Sequence, residues 1–304
     1  MYLNEDGRLI DTNKELVKGN VIANLLDQYG LNWEVKKVPL VQAGNGNETR
    51  FFGTVREDTQ ETFQCFTNQY SIYQNSELAE IVLGVANELN ATETNCGMFK
   101  GGARVYMQIG MSDKYVGKDR VKRWANGLNS FDGSTSLRWG AGNQTISCSN
   151  IFTPQYMKNA LSNSVKHTTN MREAVAQSLK IIETLEAQEE TLFEVFNRMA
   201  TVKATTKQVH ETIKLVTGVD VTMTESAARK VYSTRKINNG NALTQSILKE
   251  MSYKEQTLWG LFSGVTHFTT HVAGSDAIRE ESKMMGTLNN VDQKVFNELA
   301  AIIA

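Results

Sequence analysis

Proline and cysteine are scarce in this 304-residue sequence, which contains two prolines and three cysteines. Because Pro39 and Pro154 are the only prolines, no proline-rich linker separates the two halves of the chain. The cysteines, at positions 65, 96 and 148, are widely spaced and odd in number. This spacing predicts reduced thiols and argues against a disulfide framework or a zinc site.

Long apolar runs are missing as well, since no stretch approaches the roughly 20 residues that a membrane span needs. The N-terminal sequence MYLNEDGRLIDTNKE lacks the basic start and apolar core of a signal peptide. We therefore predict a cytoplasmic protein with no membrane partner. Apolar residues make up 40% of the chain and charged residues 21%, which is typical of a folded globular protein.

The motifs that mark nucleotide-binding and metal enzymes are also absent. Neither G-x-G-x-x-G nor the Walker pattern occurs, and the Gly/Asn-rich loop at 42–50 lacks a strand-to-helix context. His267 and His271 have the spacing of two metal ligands on a helix, but no acidic third ligand stands at a familiar distance. Their aromatic and apolar neighbours favour a buried helix face, so no metal and no cofactor are expected.

Hydrophobic periodicity predicts an α+β fold with a small antiparallel sheet or meander in the N-terminal half, packed with helices, and a helical C-terminal half. In the first half we predict helices at 14–29 and 76–89, and strands within 50–74 and 103–109. Thr153-Pro154 is typical of a helix start. The helical segments predicted after it are 170–200, 205–217, 224–234, 241–251, 253–272 and 287–303.

The expected domain organisation follows from this pattern. Residues 1–30 form an N-terminal arm or helix, 31–172 an α+β core with a basic meander, and 173–304 a helical region of the same domain.

The stretch NSFDGSTSLRWGAGNQTISCSN, at 129–150, predicts that meander. Asp132-Gly133 is a strong signal for a two-residue hairpin, because both turn positions favour positive φ. Beyond the turn the side chains alternate in type, with Thr135, Leu137 and Trp139 on one face and Ser134, Ser136 and Arg138 on the other.

The clearest compositional feature is a basic segment between Lys114 and Arg172. It has nine basic and two acidic residues, a net charge of +7 in a chain whose formal charge is −1. Such a segment is typical of a surface that faces an anion, and its interleaved aromatic rings favour single-stranded nucleic acid. The predicted nucleic-acid-binding residues are Lys114, Lys118, Arg120, Lys122, Arg123, Trp124, Arg138, Trp139, Lys166 and Arg172.

The tryptophans can instead be core residues of the sheet. A second cluster contains no acid and can extend the same path, and it consists of Arg229, Lys230, Tyr232, Arg235 and Lys236.

Two other classes of function remain open. One is a hydrolase or nucleotide-modifying enzyme whose site includes Asp132, Cys148 and His167, although no convincing catalytic motif is present. The other is a non-catalytic protein that binds a host factor.

Six segments carry a resemblance to a known family: TVREDTQETFQCFTNQYSIYQN (54–75), GGARVYMQI (101–109), VGKDRVKRWANGLNSFDGSTSLRW (116–139), SCSN (147–150), KHTTNMREA (166–174) and TLWGLFSGVTHFTTH (257–271). In this order they resemble the phage- and plasmid-borne family catalogued as domain of unknown function 932. The family pattern favours histidine where this chain has Phe131, and an arginine where it has Thr145 and Ile146. If those family residues were catalytic, these departures would argue against catalysis here.

The resemblance implies a protein of a mobile genetic element in a bacterial host cell. In fold and charge the chain is also similar to the phage single-strand annealing proteins of the Red beta class. The expected function is therefore binding and annealing of single-stranded DNA, with RNA as the alternative ligand, in phage or plasmid recombination or replication. The expected active form is a homo-oligomer.

Overall fold

A computed structural model of the protein describes residues 2–3, 9–10, 12–86, 93–145, 150–152, 162–179 and 182–303. The strands in these ranges are β1 (Tyr2–Leu3), β2 (Leu9–Ile10), β3 (Val35–Val41), β4 (Glu48–Arg56), β5 (Thr62–Thr67), β6 (Thr94–Phe99), β7 (Arg104–Val116), β8 (Asp119–Ser130), β9 (Leu137–Thr145), β10 (Asn150–Phe152) and β11 (Ser162–Val165). The helices are α1 (Thr12–Gln28), α2 (Asn75–Ala86), α3 (Met171–Leu179), α4 (Ile182–Thr201), α5 (Thr206–Thr217), α6 (Glu225–Val231), α7 (Thr234–Tyr253), α8 (Leu258–His267), α9 (Asp276–Met285) and α10 (Thr287–Ile303). A π-helix at Phe268–Val272 continues α8. The predicted α+β class is confirmed.

Strands β3, β4 and β5 form a three-stranded antiparallel sheet in that order. The two strands predicted within 50–74 are β4 and β5, whereas β3 was not predicted. Pro39 explains why, since proline argues against a strand in general but is tolerated on an edge strand such as β3. The sheet is joined to the connection between β8 and β9 by Thr54, whose hydroxyl donates to the Phe131 carbonyl oxygen at 2.8 Å.

The larger sheet has the order β10-β9-β8-β7-β6, and β11 also pairs with β9. The alternation predicted for 103–109 is found in β7, where Val105, Met107 and Ile109 are fully buried. Strand β8 carries much of the basic segment.

The connection between β8 and β9 differs from the two-residue hairpin that the sequence predicts. Strand β8 ends at Ser130 and β9 begins at Leu137, so a longer loop joins them. Gly133 keeps the expected positive φ of 67°. The carboxylate of Asp132 accepts a hydrogen bond from the Ser134 amide at 3.0 Å, which stabilises this wider turn.

The C-terminal half is helical, as predicted, but its divisions differ from the sequence pattern. The stripe at 170–200 belongs to two helices, α3 and α4, and α7 is longer than the predicted 241–251. Helix α9 was missed. The predicted helix start at Thr153-Pro154 lies outside the described residues.

The chain divides into two compact units whose segments alternate along the sequence. Unit 1 comprises 1–111, 124–140 and 162–184, and unit 2 comprises 112–123, 141–161 and 185–304. The core of unit 2 is α8, whose residues from Leu258 to Thr266 are all buried. Among the described residues, no helix combines the length and the apolarity that a bilayer span demands.

Gly133 provides a test of the loop. A Cβ atom at this position would lie 2.9 Å from the Phe66 ring, whereas a Cβ at Gly30, which has a similar φ of 64°, would meet nothing within 4 Å. Both Gly133→Ala and Gly30→Ala place alanine in the left-handed region, but only the first adds a clash. We expect Gly133→Ala to lower the free energy of unfolding by about 1–3 kcal/mol more than Gly30→Ala, measured by urea unfolding. Equal losses would contradict the tight contact between this loop and Phe66.

Candidate nucleic-acid interface

Arg123, one of the predicted phosphate contacts, is buried in unit 2. Its Nη1 donates to Glu189 at 2.5 Å and its Nε donates to the Ser112 carbonyl oxygen at 2.6 Å. The side chains of Arg123 and Glu189 are only 10% and 4% exposed. Burial raises the pKa of Glu189, and the Arg123 guanidinium opposes that rise. The guanidinium therefore has little exposed surface to offer to a phosphate.

Other cations of the basic segment are paired with acids that lie before or after it in the sequence. Lys114 pairs with Glu190 within unit 2, and Arg172 pairs with Glu77 within unit 1. These pairs cancel much of the +7 that the segment carries in isolation.

The remaining cations of the segment differ in exposure. Arg120, whose side chain is 59% exposed, pairs with Asp113 at 2.5 Å. Arg138 is half-buried, burial lowers its pKa, and its Nε has no hydrogen-bond partner among the described residues. Lys118 and Lys166 are exposed, and Lys122 is intermediate. Lys158 lies outside the part of the chain that the structure describes.

The two tryptophans of the predicted site are buried. Trp124 is 9% exposed and Trp139 is 1% exposed. Neither ring therefore presents an open face on which a base can stack, and both serve the core, the alternative that the sequence left open.

The residues of the hydrolase alternative are only partly described. His167 is buried and stacks on Tyr70 with ring centroids 5.0 Å apart. Its Nδ1 lies 2.9 Å from the Ser71 carbonyl oxygen, and burial lowers its pKa. In the part of the chain that the structure describes, its Nε2 has no hydrogen-bond partner. Asp132 is held by its own turn, and Cys148 lies outside the described residues. Within the described ranges, no nucleophile is hydrogen-bonded to His167.

A run of exposed cations in unit 2 extends over α6 and α7. Between Glu225 and Glu250 the sequence contains no acid. The five cations of this interval are all exposed, and they are Arg229, Lys230, Arg235, Lys236 and Lys249. They include all four cations of the second cluster that the sequence indicated.

Neutral groups on the solvent side of α7 complete this surface. Asn238, Asn239, Asn241 and Gln245 are exposed, and Tyr253 at the end of the helix is 77% exposed. We call these four amides, together with Arg235, Lys236, Lys249 and Tyr253, the α7 face. From Arg235 to Tyr253 it extends along about 27 Å of helix. Sequence reasoning missed the amides, Lys249 and Tyr253, although the acid-free run could have signalled the amides and Lys249.

A buried ion network fixes the C-terminal end of α7. The Lys254 ammonium lies 3.1 Å from Asp119 and 3.3 Å from Glu250. It also donates to the Ser263 hydroxyl at 3.1 Å. Asp119 accepts a further hydrogen bond from the Trp259 indole at 2.8 Å. The i, i+4 spacing of Glu250 and Lys254 was visible in the sequence, but the distant partner Asp119 was not.

The fold and this site define an α+β protein with a cationic helical surface. Among the described residues, no group of three or more histidine, cysteine, aspartate and glutamate side chains is arranged to hold a metal ion. The chain belongs to the family described as Domain of unknown function (DUF932), whose sequence profile matches residues 62–293. No curated protein and no solved structure matches the chain.

Lys254 provides a test of the network. Lys254→Met leaves the buried Glu250 and the partly buried Asp119 without their cation, so we expect a loss of about 3–5 kcal/mol in the free energy of unfolding. Lys36→Met is the matched control, because Lys36 pairs with Glu57 in unit 1 but is 62% exposed. Chemical unfolding of both variants measures the difference, and a similar, small effect of both would contradict the role given to Lys254.

Proposed function

We propose that this protein binds single-stranded nucleic acid through the α7 face and promotes annealing of complementary strands. The observation that carries the proposal is that the α7 face is exposed and cationic and contains no acidic residue. We place the activity in phage or plasmid DNA recombination or replication, in the cytoplasm of a bacterial host, with DNA as the preferred ligand and RNA as the alternative. The likeness to single-strand annealing proteins of the Red beta class supports this choice by analogy only.

The chemistry of the α7 face suits a single strand. Arg235, Lys236 and Lys249 supply the phosphate contacts that dominate affinity for nucleic acids. Side-chain amides make additional contacts to phosphate and sugar without reading the sequence. Tyr253 supplies an exposed ring, and stacking on such a ring accepts any base.

Annealing places few further demands on a protein. It requires neither a nucleophile nor a metal, only a surface that holds the backbone while the bases stay accessible to a second strand. A convex helix face meets this demand better than a closed pocket does, because the strand lies on its surface.

The proposal is tested by removing two cations from either of two surfaces. Arg235→Ala/Lys236→Ala removes two charges from the α7 face, and Lys118→Ala/Lys166→Ala removes two exposed charges of the basic segment. Because each phosphate contact to a single strand contributes about 0.7 to the slope of log affinity against log salt, the α7 variant should lose about 1.4 of that slope. Fluorescence anisotropy with a labelled oligodeoxythymidine, over a series of salt concentrations, measures both variants.

The comparison distinguishes the two surfaces. We expect the Lys118→Ala/Lys166→Ala protein to keep the affinity and salt slope of the wild type. If the Lys118→Ala/Lys166→Ala protein instead loses more affinity and salt slope than the α7 variant, the binding site lies on the basic segment. An unchanged slope in both variants would contradict the proposal. Circular dichroism of each variant establishes that the fold is retained.

Oligomerisation is a separate expectation of the annealing proposal. Annealing proteins act as rings or filaments along a strand, so we expect the protein to form homo-oligomers, at least on DNA. Mass measurement in solution, with and without an oligonucleotide, tests this. A monomer under both conditions would argue against annealing but not against binding.

A further inference from the structure

Near its C-terminal end, the α7 face meets two histidines, His267 and His271, which lie close to Lys249. The Lys249 ammonium lies 3.2 Å from Nε2 of His267. The rings of His267 and His271 have centroids 5.1 Å apart. Lys249 and His271 are exposed and His267 is half-buried. All three belong to unit 2.

The contacts of His267 define its protonation state. An ammonium group can only donate, so Nε2 of His267 accepts from Lys249 and carries no proton. Nδ1 then carries the ring proton and lies 3.2 Å from the Ser246 hydroxyl, which accepts it. In this arrangement His267 is neutral, and it holds the Lys249 ammonium in place.

The surroundings of His267 agree with a neutral ring. Burial lowers the pKa of His267, the charge of Lys249 lowers it further, and His271 adds a smaller lowering. Glu250 acts in the opposite direction, but its carboxylate is buried and already faces Lys254. A bound anion would therefore stabilise a second positive charge at His267.

We infer that Lys249, His267 and His271 form a phosphodiester subsite of the α7 face, in which the imidazoles bind phosphate in their protonated form. The inference rests on the proposed function, and it specifies which groups bind a phosphate at the C-terminal end of the α7 face. A phosphate placed against these groups accepts hydrogen bonds from the ammonium and from both imidazolium rings. Tyr253 lies one helical turn beyond Lys249, where a base attached to that phosphate can stack.

The subsite is held by close packing between α7 and α8. A Cβ atom at Gly264 would overlap the Ile247 backbone, so only glycine permits this approach. His267 follows Gly264 by one turn of α8, and Lys249 follows Ile247 on α7. The ring and the ammonium are therefore positioned by the helix contact and not by mobile side chains alone.

The pH dependence follows from linkage. A bound phosphate stabilises the imidazolium form, so the histidine pKa is higher in the complex than in the free protein. Binding then takes up protons, and affinity rises as the pH falls through the range in which histidine titrates. We expect the affinity for a labelled oligodeoxythymidine to rise about three- to tenfold between pH 7.5 and 5.5 at constant salt.

The test uses glutamine, which removes the titrating group but keeps an acceptor for Lys249. His267→Gln/His271→Gln should lose the rise in affinity between pH 7.5 and 5.5, whatever its affinity at pH 7.5. His210→Gln on α5 is the matched control and should keep the rise. As a second measurement, the NMR signal of His267 should titrate at higher pH when the oligonucleotide is bound.

The outcomes separate this inference from the proposed function. Binding by the wild type without a pH-dependent rise, or a rise that persists in His267→Gln/His271→Gln, overturns the subsite and leaves the α7 face intact. An Arg235→Ala/Lys236→Ala protein that binds weakly but keeps the rise supports the subsite. If the wild type binds no single strand at either pH, the proposed function fails and the subsite fails with it.

Discussion

The contact of α7 with α8 at Gly264 is the constraint on which the proposed interface depends. Because α8 is buried along its length, the helix beside it must turn its own apolar residues inward, and Leu243 and Ile247 of α7 are fully buried. Burial of that stripe is the dominant favourable term in packing the two helices. Most cations and amides of α7 lie outside this stripe and face solvent, so the packing of unit 2 determines much of the chemistry of this surface.

Charge in this protein is distributed differently in space than along the sequence. The basic segment has a large local excess of cations, yet the fold brings Glu189, Glu190 and Glu77 to three of them. A buried guanidinium such as that of Arg123 requires this, since an unpaired charge in the interior is strongly unfavourable. The acid-free run on α7 has few such partners, because its cations lie on an exposed helix face where water solvates them.

Secondary structure could be predicted where the local pattern agreed with the tertiary environment. The strands β4 and β5 and the helices α2, α5 and α10 follow from their residue patterns, and in the structure a capping box at Thr205 fixes the start of α5. The prediction failed where contacts with other parts of the chain determine the local structure. Edge strand β3 contains a proline, and the loop at Gly133 is wider than its Asp-Gly signal because an Asx turn and the Phe66 ring shape it.

For the candidate site, the sequence by itself determined which residues carry charge, which stretch is free of acids and that no familiar catalytic motif is present. Only the tertiary structure decided which cations are exposed, because burial and ion pairing depend on partners far away in the chain. Asp119 and Lys254 lie 135 positions apart, and no spacing rule connects them. Local composition specifies the chemical groups, whereas long-range packing specifies which of them face water and can meet a ligand.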